Sequence, residues 1–237
     1  MAVEYSVSMC LQLLRSSLGR KAVMALTGLF LMGFVVAHLL GNLQIFLGPE
    51  WLNGYSEHLE DLPLLLWPAR VFLLLTLLTH MTTGISLAVE NRRARPVGYI
   101  QEGTVQATQA SRAMVLTGLA LFLFIIYHLL HFTWGVAHPQ YCHFTDPKGR
   151  DDVYSMVILS FRDARISAVY VLAMFVLCTH LRHGASSFLQ SLGWTPPGAE
   201  KKVRAMGQAF GWLIFLGFTA IPVCSLLGYL KPLQGGG

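Results

Sequence analysis

Residues 27–42 read TGLFLMGFVVAHLLGN. The run is apolar enough to cross a bilayer, yet it carries an imidazole, His38, about two thirds of the way along. Ionisable side chains at membrane depth are costly and usually functional, so the partner of His38 becomes the question that decides how the chain is organised.

The composition around this stretch is that of a membrane protein. Of 237 residues 54% are hydrophobic and 12% charged, with a mean hydropathy of +0.54, against roughly 25% charged residues in a soluble domain. Five stretches reach the roughly 17 to 25 residues that span a hydrocarbon core. They lie at about 22–47, 62–89, 113–134, 165–189 and 205–230, and no period-two pattern of a membrane barrel competes with them. The expected fold is an all-α integral membrane protein with five transmembrane helices in a single membrane domain, 1–237.

Basic residues set the expected orientation. Arg15, Arg20 and Lys21 precede the first span, Arg92, Arg93, Arg95 and Arg112 lie between the second and third, and Lys201, Lys202 and Arg204 precede the fifth. The intervening loops are acidic or mixed, with Glu50, Glu57, Glu60 and Asp61 in one and Asp146, Lys148, Arg150, Asp151, Asp152 and Asp163 in the other. The N-terminus is therefore expected in the cytoplasm and the C-terminus outside. The pI near 9.2 follows from this topology, with no nucleic acid partner. No secretory leader is expected in the first 21 residues. Cys10, Cys142, Cys178 and Cys224 form no C-x-x-C or C-x-x-C-H pattern, which argues against a cysteine zinc site and covalently attached haem.

A repeat supplies partners for His38. Thr27-Gly28-Leu29, eight residues and His38-Leu39-Leu40 recur 90 positions later as Thr117-Gly118-Leu119 leading to His128-Leu129-Leu130. The second and fourth spans share Thr79-His80-x-x-x-Gly84-x-Ser86 and Thr179-His180-x-x-x-Gly184-x-Ser186. One histidine is thus marked on each of four helices. With the expected topology His38 and His128 lie toward the outer face and His80 and His180 toward the cytoplasm.

Two imidazoles on facing helices suit the axial positions of a b-type haem. Zinc requires four ligands, and neither cysteines nor paired carboxylates lie at these levels. A di-iron carboxylate site lacks its Glu-x-x-His motif. The first four helices are accordingly expected to form a haem-binding four-helix bundle holding two b-type haems. Gly84 and Gly184, on the faces of their histidines, are expected to clear space for a flat ring. Thr27 and Thr117 lie eleven residues before the outer histidines, about 16 Å of rise, and are expected to leave room for the second macrocycle.

Other polar residues are weaker candidates. His131 and His183 follow ligand candidates by three residues and compete as ligands. His138 and His143, in the outer loop with Cys142, are expected to be solvated. NGYSEHLEDLP, residues 53–63, is read as an outer acidic loop in which Glu57, His58, Glu60 and Asp61 lie where a quinol would release protons. Arg162 and Arg165, at the outer start of the fourth span, suit a haem propionate.

The ordered set formed by SSLGRK from Ser16, Thr27-Gly28-Leu29 with His38, His58, His80 before Arg92, the second Thr-Gly with His128, and His180 followed by Gly184 resembles the five-helix, dihaem cytochrome b anchor of succinate:quinone oxidoreductases. This is the menaquinone-linked b558 type that includes fumarate reductases, and the likeness covers nearly the whole chain. The resemblance implies that His38 and His128 hold the distal haem and His80 and His180 the proximal one. It also implies a flavoprotein subunit with covalent FAD and an iron-sulfur subunit docked at the cytoplasmic face, with electron transport to or from menaquinone. Glu60 matches the position of a proton-accepting glutamate, and Ser160-Phe161-Arg162 resembles a propionate-binding segment. Where some relatives carry a proton-returning glutamate two residues before the fourth-helix ligand, this chain has Cys178. The residues alone leave two further readings open: the cytochrome b subunit of another membrane oxidoreductase such as a hydrogenase or formate dehydrogenase, and a haem-free anchor or transporter.

Overall fold

The computed structural model describes residues 16–93 and 113–233. Cys10, Arg15, Arg95 and Arg112 lie outside them.

Among the described residues the chain is helical, and five helices are long and apolar enough to cross a membrane. Helix α1 (Ser17–Leu43) runs through a 3-10 turn, Gln44–Leu47, into the short α2 (Pro49–Glu60). The long helices α3 (Pro63–Arg93) and α4 (Met114–His128) follow, the latter extended by a π-helical turn, Leu129–Thr133. The short α5 (Val153–Arg162) then leads to α6 (Ala164–Ser191) and α7 (Glu200–Leu226). Helix is the form in which so apolar a segment satisfies its own backbone hydrogen bonds without water. The outward faces are correspondingly apolar, with Leu64, Leu74, Leu75, Leu116 and Leu123 exposed.

Helix boundaries follow local chemistry. The side chains of Ser16, Asp152 and Asp163 accept from the backbone N–H groups of Gly19, Ser155 and Arg165 at the starts of α1, α5 and α6, removing donors that the first turn leaves unpaired. At Asp163 the chain turns from α5 straight into α6, with Ser167 Oγ donating to the Phe161 carbonyl at 2.6 Å.

The segments between the first and second spans, and between the third and fourth, are not the solvated loops expected from their charge. They fold as α2 and α5 and cap one end of the bundle. Asn53, fully buried, donates Nδ2 to Asp146 Oδ2 at 3.3 Å and Asp152 Oδ1 at 3.1 Å, while its Oδ1 accepts from the Tyr154 N–H at 2.9 Å. Arg150 binds Asp146 at 2.7 Å and Glu50 at 3.1 Å, and Lys148 reaches Glu50 at 2.6 Å. Burial pushes the Asp146 carboxyl up, but the hydrogen bonds from Arg150, Lys148 and Asn53 outweigh it and hold it down at about 2. Beneath this polar lattice lies an apolar cluster that includes Ile45, Leu52, Ile158, Phe161 and Ile166.

Helices α6 and α7 pack closest. A β-carbon added at Gly207 would meet the Arg182 carbonyl at 2.8 Å, and one at Gly211 the Cys178 carbonyl at 2.9 Å. Gly207-x-x-x-Gly211 is thus a small-residue stripe that lets two backbones touch. Arg182 lies over the Trp212 ring at 5.6 Å. At the uncapped end Arg20 of α1 pairs with Glu90 of α3 at 2.6 Å.

Candidate functional site

The four repeated histidines meet in two pairs. His38 of α1 faces His128 of α4 with ring centroids 5.8 Å apart and planes at 85°, and His80 of α3 faces His180 of α6 at 6.4 Å and 63°. The pairs stand at different heights in the bundle. Thr27 Oγ1 is 3.1 Å from His80 Nδ1, and Thr27 precedes His38 by eleven residues of continuous helix, about 16 Å of rise. Thr117 repeats the relation on α4, with its Oγ1 3.1 Å from His180 Nδ1.

Both threonines touch the second histidine pair. The glycine after each one leaves room for the same ring. A β-carbon at Gly28 would lie 3.2 Å from His80 Cε1, and one at Gly118 3.5 Å from His180 Cε1. A β-carbon at Gly84 would meet Met24 Cε at 3.1 Å, and one at Gly184 would have open space around it.

The His38–His128 level is aromatic. Phe34 stacks on His38 with centroids 5.4 Å apart, Phe218 lies 5.8 Å from His38, and Phe124 and Phe132 flank His128. Polar contacts to these rings are long: Tyr170 Oη is 3.4 Å from His128 Nδ1, and Asn42 Nδ2 is 3.4 Å from either nitrogen of His38. Asn42 makes its short bond to the His38 carbonyl, at 2.8 Å.

His131 is fully buried in the π turn, with Nδ1 2.9 Å from Tyr170 Oη, Nε2 3.1 Å from Ser160 Oγ and its ring stacked on Phe132 at 3.9 Å. Both nitrogens are engaged by hydroxyls. His138 is not simply solvated, because its Nε2 is 2.9 Å from Tyr127 Oη and its ring centroid 4.7 Å from that of His131. His183 is half-buried and His143 exposed.

Glu60, His58 and Asp61 are exposed at the end of α2, where Glu60 accepts from Ser56 Oγ at 3.3 Å. Among the described residues no hydrogen bond or ring contact joins the three to His38 or His128. Arg162 is exposed at the end of α5, and Arg165 pairs with Asp163 at 3.4 Å. Cys178 is buried, in the stretch of α6 that packs on Gly211.

Each pair brings two imidazoles from different helices into an apolar interior, a donor set that would suit haem iron. Gly28 and Gly118 leave the space that Cε1 of each ring of the second pair approaches. Sequence reasoning missed these two glycines and Tyr170. The glycines were visible in the Thr-Gly-Leu repeat, whereas nothing near Tyr170 in the sequence marks it.

Compared with known proteins, the chain matches no family model, no curated protein and no solved structure.

Proposed function

We propose that the chain is a dihaem cytochrome b that anchors a succinate:menaquinone oxidoreductase or fumarate reductase in the bacterial cytoplasmic membrane. One observation carries this reading above all: two histidine pairs, each joining two helices, at two heights of one bundle. His38 and His128 would hold one b-type haem toward the outer face, and His80 and His180 the other toward the cytoplasm. Bound haem would supply one-electron transfer, and histidine pairs at two heights of the bundle would give the chain a route for electrons across the bilayer.

The protein's own residues supply binding, orientation and proton exchange. The aromatic side chains around His38 and His128 exclude water from that level. Glu60, with His58 and Asp61, is exposed at the capped end, where a carboxylate can take the protons of a menaquinol. Arg162 ends α5 at the same end and is the guanidinium for a propionate. The other end, with its basic segments, would face the flavoprotein and iron-sulfur subunits, which carry FAD, the iron-sulfur clusters and the dicarboxylate chemistry.

The reduced-minus-oxidised spectrum of the purified complex tests the reading. Two b-type components are expected, together with copurifying flavoprotein and iron-sulfur subunits. A spectrum without b bands overturns the haem assignment, and copurification with a hydrogenase or formate dehydrogenase subunit reassigns the complex.

A further inference from the structure

We infer that Thr27 and Thr117 are positioning residues: each hydroxyl accepts the Nδ1 proton of the histidine facing it, leaving Nε2 of His80 and of His180 as the lone pair for iron. The inference rests on the dihaem reading above.

Proton counting carries the argument. A threonine hydroxyl has one proton to donate. Thr27 Oγ1 lies 2.7 Å from the Val23 carbonyl and Thr117 Oγ1 2.9 Å from the Ala113 carbonyl, the back-bond that helical threonines favour. With that proton committed to the backbone, the 3.1 Å contact to Nδ1 forms a hydrogen bond only if the ring nitrogen is the donor. The same arrangement occurs twice, on helices whose Thr-Gly motifs are 90 positions apart. Gly28 and Gly118 reinforce it, because each leaves room for Cε1 of the same ring. The hydroxyl, joined at His80 by the Met24 backbone carbonyl as a second acceptor, fixes the rotation and tautomer of the imidazole while the glycine admits it.

The consequence is electronic as well as geometric. An imidazole whose second nitrogen donates a hydrogen bond is a more basic ligand, which favours ferric over ferrous iron and lowers the reduction potential. Among the described residues the polar contacts to His38 and His128 are longer. The Tyr170 hydroxyl, 3.4 Å from His128 Nδ1, is 2.9 Å from His131 Nδ1, and His38 has only Asn42 at 3.4 Å. Two threonines on α1 and α4, the helices that carry the first pair, thus tune the haem held by the second pair on α3 and α6.

Potentiometric titration of the b bands in the purified complex tests this with Thr27→Val and Thr117→Val, and with Thr27→Ser and Thr117→Ser as conservative partners. Each valine variant is expected to raise the midpoint of the same single component, by about a tenfold change in ferric preference, or about 59 mV for one electron. The serine variants are expected to stay with the wild type. Selective loss of that one component in a valine variant and its retention in serine also supports the inference. Unmoved midpoints, equal effects of valine and serine, or both components shifting or disappearing together overturn it while leaving the dihaem reading intact. A wild-type complex without b bands overturns both.

Discussion

His131 and Tyr170 are joined by a 2.9 Å hydrogen bond between Nδ1 and the phenol, in a position with no solvent exposure. With Ser160 on the other nitrogen at 3.1 Å, the ring ties the π turn of α4 to α5 and α6. It serves as a structural bolt beside the ligand candidate His128.

Replacing His131 with alanine is therefore expected to preserve both b components at ambient temperature. It removes the partner of two hydroxyls, which at about 1 to 3 kcal/mol each lowers stability by about 2 to 6 kcal/mol. Thermal loss of the haem spectrum measures this. Disappearance of one component before heating would make His131 a ligand after all.

The spatial pairing makes a spectroscopic prediction. His38→Ala and His128→Ala are expected to remove the same b component, and His80→Ala and His180→Ala the other. If His38→Ala and His80→Ala erased one and the same component, the pairing would be wrong.

At the α6–α7 contact, Gly211→Ala pushes a methyl to within 2.9 Å of the Cys178 carbonyl. The backbones must separate, at a cost of about 1 to 3 kcal/mol for overpacking. Gly33→Ala is the control, because nothing lies within 4 Å of a β-carbon there. Melting temperatures of the two variants in detergent should diverge, with only the Gly211 variant lowered; equal behaviour would refute the close packing.

The capped end carries an acid-sensitive element. Asp146 titrates at about 2 in the fold against 3.8 when free, so its ionised form stabilises the folded state. That contribution is complete above about pH 4 and is lost as the pH falls through about 2. Thermal unfolding of wild type and Asp146→Asn between pH 2 and 5 checks the sign: the variant should start lower and change less across this window.

Glu60→Gln keeps the hydrogen bond with Ser56 within reach but removes a proton acceptor. Menaquinol oxidation is expected to fall by about 10²-fold or more with the haem spectrum unchanged. Unaltered turnover would remove Glu60 from the proton path.

Much of the site is legible along the chain because helical periodicity is local. Apolar length marks the five spans, and an imidazole inside such a span stands out against its neighbours. The Thr-Gly-Leu repeat marks equivalent heights on α1 and α4. The two short cap helices are harder to see. The polar residues of α2 have a loop's composition, α5 is too short to span, and the contacts that seat them are remote: Asn53 bonds to Asp152 across 99 positions, and Arg150 to Glu50 across 100.

The sequence by itself determined the membrane class, the five apolar helices and the four repeated histidines, since hydropathy and spacing act through the residues of one segment. Only the tertiary structure decided that Thr27 meets His80 and Thr117 meets His180, that His131 is consumed by Tyr170 and Ser160, and that α2 and α5 close one end. A period of 3.6 residues fixes the side of a helix on which a group lies. Which neighbour meets that side depends on how the helices rotate and pack, and here that packing turns a small hydroxyl into an acceptor for an imidazole 53 positions away.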